Sequence, residues 1–222
     1  MNSTKMALCV FLLTSLAHAD ALPPCDSWLQ NPTPSVTVQR LHEAGVLIEP
    51  RRRMRAEGYK WEHEIRIALP SSYRKENRTY SVLWVTDGHA FFEPAVGFAT
   101  ACAQKYIPEM IVVGIGAPPQ ASNESHMRRT YDFTPNDVKS YSGFGSKLVE
   151  EQMKARDEKR KAEGTILAKD WGGAPRFLAF LADTVRPLLA RDYRMADDHT
   201  LFGDSAGGLF CTYALLARYA DS

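Results

Sequence analysis

The chain has 222 residues, 45% of them hydrophobic and 24% charged, with 27 lysines and arginines against 26 aspartates and glutamates for a formal net charge of +1. So even a charge balance excludes electrostatic binding of nucleic acid as the main task. The length and apolar share fit one globular domain of roughly 200 residues.

Residues 1–19 read as a secretory signal peptide. Lys5 precedes an apolar stretch from Ala7 to Leu16, and Ala17-His18-Ala19 is an A-x-A cleavage site. The stretch is shorter than the ~20 apolar residues that span a bilayer, and no other run approaches that length. The expectation is a secreted or periplasmic protein cleaved after Ala19, with no stable membrane insertion afterwards. Loss of Lys5 leaves basic and acidic residues equal in number. Residues 20–222 then form a single α/β domain.

Pro23-Pro24, Pro32 and Pro34 mark an irregular start to the mature chain. Arg51-Arg52-Arg53 and Arg55 form a basic cluster, read as a solvated hairpin or loop or as a site for an anionic group. Residues 62–69 alternate polar and apolar with period two, which predicts a strand with one wet face. Residues 81–86 are nearly all apolar, β-branched or aromatic, as in a central strand buried on both faces, and residues 110–116 form a second such run. Residues 91–106 between them predict a helix. Residues 147–163 are dense in charge, with Glu150–Lys154 and Asp157–Lys161 spaced for helical i,i+4 pairs. They predict a charged helical insertion near 140–170, over the carboxyl edge of the sheet.

Residues 174–191 carry Phe177, Leu178, Leu181, Val185, Leu188 and Leu189 at helical spacing, with a kink or early stop expected at Pro187. Asp197-Asp198-His199 offers metal-ligand types but reads as a turn before a short strand at 200–202. A helix follows over 209–218. The alternation of strands and helices predicts parallel βαβ units in an α/β domain. Of the cysteines left after cleavage, Cys102 and Cys211 read as apolar fillers in helices, and a Cys25–Cys102 pairing stays open.

Gly203-Asp204-Ser205-Ala206-Gly207-Gly208 fits G-x-S-x-G, a serine nucleophile on a sharp strand-to-helix turn. Such a serine needs a base oriented by a carboxylate, and two donors aimed at the oxyanion of the tetrahedral intermediate. The Ala206 amide, next after the nucleophile, supplies one donor. The loop after an earlier strand supplies the other, and Asp87-Gly88-His89-Ala90 is so placed, with the Gly88 or His89 amide as candidates. His89 reads as a contributor of backbone rather than as the base.

Four motifs in order carry a resemblance: residues 84–92 (Trp84 to Phe92), 129–135 (Arg129 to Pro135), 172–177 (Gly172 to Phe177) and the Ser205 turn. From about Tyr59 onward the chain resembles the bacterial putative-esterase family, which includes siderophore (enterochelin-type) esterases and the periplasmic trilactone hydrolase of the salmochelin system. The resemblance implies a three-layer α/β-hydrolase fold on a mostly parallel sheet. It also implies cleavage of a small-molecule carboxylic ester through an acyl-serine, with no metal or organic cofactor. Ser205 matches the nucleophile and Asp87-Gly88-His89 the oxyanion loop. Arg129 matches the arginine of an Arg-x-x-Asp-φ-Thr-Pro motif, as a substrate-binding residue or as the partner of Asp132 in an ion pair. Hormone-sensitive-lipase-like esterases share the elbow, but their upstream His-Gly-Gly-Gly is not found here.

One departure stands out. The triad order of this fold is Ser, then Asp/Glu, then His, yet no histidine follows Ser205 and the one acid after it is Asp221. The expectation is a chain truncated at its C-terminus, lacking the last strands together with the acid and base. Acyl transfer to an alcohol stays open beside hydrolysis, as does a non-catalytic remnant or ligand-binding module.

Overall fold

The computed structural model describes residues 38–59, 61–103, 105–119, 125–135 and 172–220. The expected signal peptide, Cys25 and the charged helical insertion expected near 140–170 lie outside these residues.

In chain order the elements are α1 (Val38–Glu43), β1 (Leu47–Ile48), β2 (Arg52–Met54), β3 (His63–Leu69), β4 (Tyr80–Val85), α2 (Gly88–Cys102), β5 (Met110–Gly116), α3 (Ser125–Phe133), α4 (Ala174–Ala179), a π-helical segment (Phe180–Val185), α5 (Arg186–Asp192), β6 (Met195–Phe202) and α6 (Ala206–Ala220). The strands form one mixed sheet in the order β1-β3-β5-β4-β6, with β2 also paired to β3. Strands β5, β4 and β6 are parallel, while β3 runs antiparallel to β5, β1 and β2. The parallel register pairs Val85 with Gly114 on one side and with Phe202 on the other, so β4 and β6 end level and β5 runs on to Gly116.

Because successive strand side chains point to opposite faces, each strand feeds two cores. Ile65, Ile67, Val82, Trp84, Ile111, Val113 and Ile115 pack with Phe133, Phe177, Phe180, Leu189 and Phe210, under α3 to α6. Ala68, Val85 and Val112 pack with Leu41, Phe92 and Val96, under α1 and α2. The result is the three-layer α/β arrangement expected from the sequence.

Three expectations need correction. First, β3 has no wet face: all seven of its residues are buried. Its polar residues are covered by partners from elsewhere in the chain. Arg66 binds Glu93 of α2 and lies 4.4 Å from the centre of the Phe92 ring, and Arg51 reaches Glu64 at 3.3 Å. Second, residues 197–199 lie inside β6 rather than in a turn. Their side chains are tied to β4, with Ser81 Oγ donating to Asp198 at 2.7 Å and Trp84 Nε1 donating to His199 Nδ1 at 3.2 Å. Third, Cys102 is only half-buried, at the end of α2, whereas Cys211 in α6 is buried and its thiol is pushed up to about 12 by burial.

The helix over 174–192 answers to Pro187 by widening rather than stopping. Proline lacks an N–H and its ring would crowd the carbonyl four residues back. The turn ahead of it adopts a π-helical form, in which the Arg186 amide donates to the Leu181 carbonyl. The arginine cluster behaves as a solvated β-hairpin edge: Arg52 pairs with Asp192 and Tyr193, and Arg55 lies 3.8 Å from Glu62. Among the described residues no helix is long and apolar enough to cross a membrane.

Candidate active site

Two strand-to-helix turns rise side by side from the level ends of β4 and β6. The first runs from Thr86 into α2, the second from Gly203 into α6. Strand β4 ends at Val85 and β6 at Phe202, and these residues are register partners. The turns are stitched together by Thr86, whose amide donates to the Phe202 carbonyl at 3.0 Å and whose hydroxyl donates to the same oxygen at 3.2 Å.

In the second turn Ser205 is exposed and has φ +54°. A non-glycine residue in the left-handed region costs about 1–2 kcal/mol, and such strain gathers at functional sites. The flanking glycines explain how the turn closes. A Cβ on Gly203 would lie 2.3 Å from the Gly207 carbonyl carbon and oxygen, and one on Gly207 would lie 2.4 Å from Thr86 Oγ1. The Gly207 amide donates to the Asp204 carbonyl at 2.8 Å, and the Leu209 amide to the Ser205 carbonyl at 3.1 Å. Ser205 is thereby held up at the start of α6.

In the first turn Asp87 is also left-handed, at φ +51°, and its carbonyl receives the Ala90 and Phe91 amides at 2.8 and 3.1 Å. Gly88 must be glycine, since a Cβ there would lie 2.7 Å from the Ile115 nitrogen. Gly116 is under the same constraint: its Cβ would lie 2.9 Å from the His89 nitrogen and 3.0 Å from that of Gly88. Gly88 and His89 open α2 and Ala206 opens α6, so their amides have no acceptor within their own helices. Helix N-termini carry partial positive charge. Two of them, on neighbouring parallel strands, make a setting in which an oxyanion can be held. The His89 side chain is exposed and leans toward β5, with Nδ1 3.1 Å from the place a Cβ on Gly116 would take. That is the side of β4 away from Ser205.

Helix α3 sits across this edge and uses one face for two ion pairs. Arg129 Nε donates to both oxygens of Asp87, at 2.9 and 3.1 Å, and its Nη2 donates to the Asp204 carbonyl at 3.1 Å. Arg129 therefore pairs with Asp87 rather than with Asp132, its alternative partner in the sequence motif. Burial pushes the Asp87 carboxyl above its ordinary range, with the Arg129 guanidinium pulling the other way.

Asp132 instead meets His63 Nε2 at 2.8 Å, and both side chains are buried. Burial raises the Asp132 carboxyl, and the imidazole opposes that rise. The Tyr59 ring is 5.3 Å from His63, and burial with the nearby Asp132 pushes the Tyr59 hydroxyl upward. This histidine–carboxylate pair was not singled out from sequence. It resembles half a triad, but β3 lies three strands from β6. At about 4.8 Å per strand that is roughly 14 Å, too far for His63 to serve Ser205. His199 is withdrawn too, bonded to Trp84 within the sheet, and burial lowers its pKa.

The rest of the Arg-x-x-Asp-φ-Thr-Pro motif locks onto the Gly172-Gly173-Ala174 motif. The Gly173 amide donates to the Tyr131 carbonyl at 2.9 Å, the Ala174 amide to the Thr134 carbonyl at 3.0 Å, and the Gly172 amide to Thr134 Oγ1 at 3.0 Å. Between α3, the end of β5 and the Asp87 turn lies a small cleft lined by His63, Asp87, His89, Gly116, Arg129 and Asp132 among others. Among the described residues no cluster of three His, Cys, Asp or Glu side chains is placed to hold a metal ion.

Comparison with known proteins gives three results. The sequence model of the family described as "Putative esterase" matches residues 56–146, which bears out the resemblance read from the motifs. No curated protein matches the sequence. Among solved structures, the BES protein from Bacillus cereus is 26% identical, with a TM-score of 0.56, over 78% of this chain and 56% of that one. The siderophore hydrolase EstA from Aspergillus nidulans is 22% identical, with a TM-score of 0.56, over 83% of this chain and 57% of that one. An IroE-like serine hydrolase from Shewanella oneidensis is 24% identical, with a TM-score of 0.50, over 76% of this chain and 46% of that one. The fold is that of the α/β hydrolases, and the chain spans about half the length of the solved structures it matches.

Proposed function

We propose that this chain carries the nucleophile and the oxyanion-binding half of an exported serine ester hydrolase. The observation that supports it most is Ser205 itself, an exposed serine at φ +54°. It stands where a parallel strand meets a helix, beside a second helix N-terminus. In this reading Ser205 Oγ attacks the ester carbonyl. The Ala206 amide and the Gly88 or His89 amide receive the oxyanion, the alcohol leaves, and water releases the acid from the acyl-serine. The order of the triad in this fold puts the acid and the histidine base after the nucleophile in sequence. Arg129 stands at the edge of the cleft, with Nε on the Asp87 carboxylate and Nη2 on the Asp204 carbonyl.

The substrate class we propose is a small-molecule ester or lactone of the siderophore type, met in the periplasm or outside the cell after removal of residues 1–19. The "Putative esterase" match and the likeness to siderophore hydrolases support that choice.

The test is hydrolysis of p-nitrophenyl acetate by the intact protein beside Ser205→Ala. Serine-dependent turnover is the expected result. Equal rates for the two proteins would overturn the assignment of Ser205 as the nucleophile.

A further inference from the structure

The two turns that form the site are joined at their base by Thr86 and above it by the side chain of Arg129. Asp87 immediately precedes Gly88 and His89, whose amides open α2; Asp204 immediately precedes Ser205. Arg129 reaches both, through the Asp87 carboxylate at 2.9 and 3.1 Å and the Asp204 carbonyl at 3.1 Å. We propose that Arg129 is a positioning residue that clamps the oxyanion turn to the nucleophile turn, acting through Asp87. The proposal rests on the assignment of Ser205 as the nucleophile.

Several observations support this role. Both turns hold a non-glycine residue in the left-handed region, Asp87 at φ +51° and Ser205 at φ +54°. Such residues persist only where their surroundings over-determine them. The Asp87 side chain is 5% exposed and that of Arg129 24%, so the carboxylate has little water to replace a lost guanidinium. The two contacts are also chemically matched. A guanidinium presents several N–H groups in a fixed planar fork, and this one spends Nε on a carboxylate and Nη2 on a carbonyl 117 positions further along the chain from Asp87. A lysine could neutralise Asp87 but could not span both acceptors in that plane. Finally, Arg129 is anchored from behind. Its helix is fixed to β3 by Asp132 and His63 at 2.8 Å, and to Gly173 by the Tyr131 carbonyl at 2.9 Å.

The consequence for chemistry is that Arg129 acts on the transition state. An oxyanion donor displaced by about 1 Å costs on the order of 10²-fold in rate. Substrate affinity depends much less on that spacing.

The test uses Arg129→Lys and Asp87→Asn in the intact protein, with two readouts. In ester hydrolysis we expect kcat to fall by about 10- to 100-fold with KM within about threefold, and the double variant to be no worse than the poorer single variant. Independently of turnover, hydrogen exchange should quicken at the Ala90 and Gly207 amides, whose acceptors are the Asp87 and Asp204 carbonyls. Unchanged exchange at both amides in folded Arg129→Lys would overturn the clamp, as would a change confined to KM. If the unsubstituted protein and Ser205→Ala hydrolyse ester equally, the assignment of Ser205 fails, and the clamp is then judged on exchange alone.

Discussion

The three glycines around Ser205 meet different neighbours, and their substitution by alanine should separate sharply. At Gly203 the added Cβ falls 2.3 Å from the Gly207 carbonyl carbon and oxygen. Carbon atoms rest at about 3.5–4.0 Å, so backbone must move by more than about 1 Å against backbone. Forced overpacking of this kind costs about 1–3 kcal/mol, and Gly203 lies outside the helix, so no gain in helix propensity offsets it. At Gly207 the obstacle is a side chain, Thr86 Oγ1 at 2.4 Å, and alanine in a helix returns about 1 kcal/mol relative to glycine. At Gly208 the first contact is the Gly203 carbonyl oxygen at 3.3 Å, which asks for a shift of a few tenths of an ångström, with the same helical gain. The predicted order of stability is therefore Gly208→Ala near or above the unsubstituted protein, Gly207→Ala below it, and Gly203→Ala lowest, by about 2 kcal/mol. Urea unfolding followed by circular dichroism measures all three. A Cβ on Gly203 also falls 2.8 Å from Thr86 Oγ1, but the backbone clash at 2.3 Å remains when that side chain is shortened. Adding Thr86→Ala should therefore recover a larger share of the Gly207→Ala loss than of the Gly203→Ala loss. Gly203→Ala as stable as Gly208→Ala, or equal recovery of both by Thr86→Ala, would refute the close approach of these two turns.

Further outcomes follow from the same geometry. Ser205→Gly should raise stability by about 0.5–1 kcal/mol by relieving the left-handed serine while abolishing ester hydrolysis; Ser205→Ala, which keeps the strain, should abolish hydrolysis without the gain, and thermal unfolding distinguishes them. His63→Leu leaves the Asp132 carboxylate buried without its partner and should cost about 3 kcal/mol near pH 7. Burial already raises Asp132 above 3.8, so its contribution to stability is full below that pH and is lost as pH rises through the folded-state value. Removing His63 raises that value further. The deficit of His63→Leu should thus shrink toward pH 4 and grow toward pH 7, read by urea unfolding across that range. A deficit independent of pH would contradict the pairing. Gly116→Ala should slow hydrolysis, because its Cβ would fall about 3 Å from the amides that open α2; a rate equal to that of the unsubstituted protein would place the oxyanion elsewhere.

Local signals in the sequence carried the elements that frame the site. The continuous apolar runs became β4 and β5, and G-x-S-x-G became the turn with Ser205 at φ +54°. These features depend on neighbours in sequence, where period and turn chemistry are legible. The burial of β3 was not legible, because Arg66 and Glu64 are paid for by Glu93 and Arg51 from other elements. The same holds for His63 with Asp132, 69 positions apart, and Arg129 with Asp87, 42 apart. The Arg-x-x-Asp spacing offered a pair within one helix turn, and the fold used both residues to reach outward instead. In β6, polar residues at 197–199 looked like a turn because their partners on β4 come from over a hundred residues upstream.

The central claim is that Ser205 is the nucleophile. The direct measurement is reaction of the intact protein with a fluorophosphonate, followed by peptide mass spectrometry. The account predicts one phosphonyl adduct per chain, on the peptide containing Ser205, and none on that peptide in Ser205→Ala. An unmodified Ser205, or an adduct formed equally well on another serine, would contradict it.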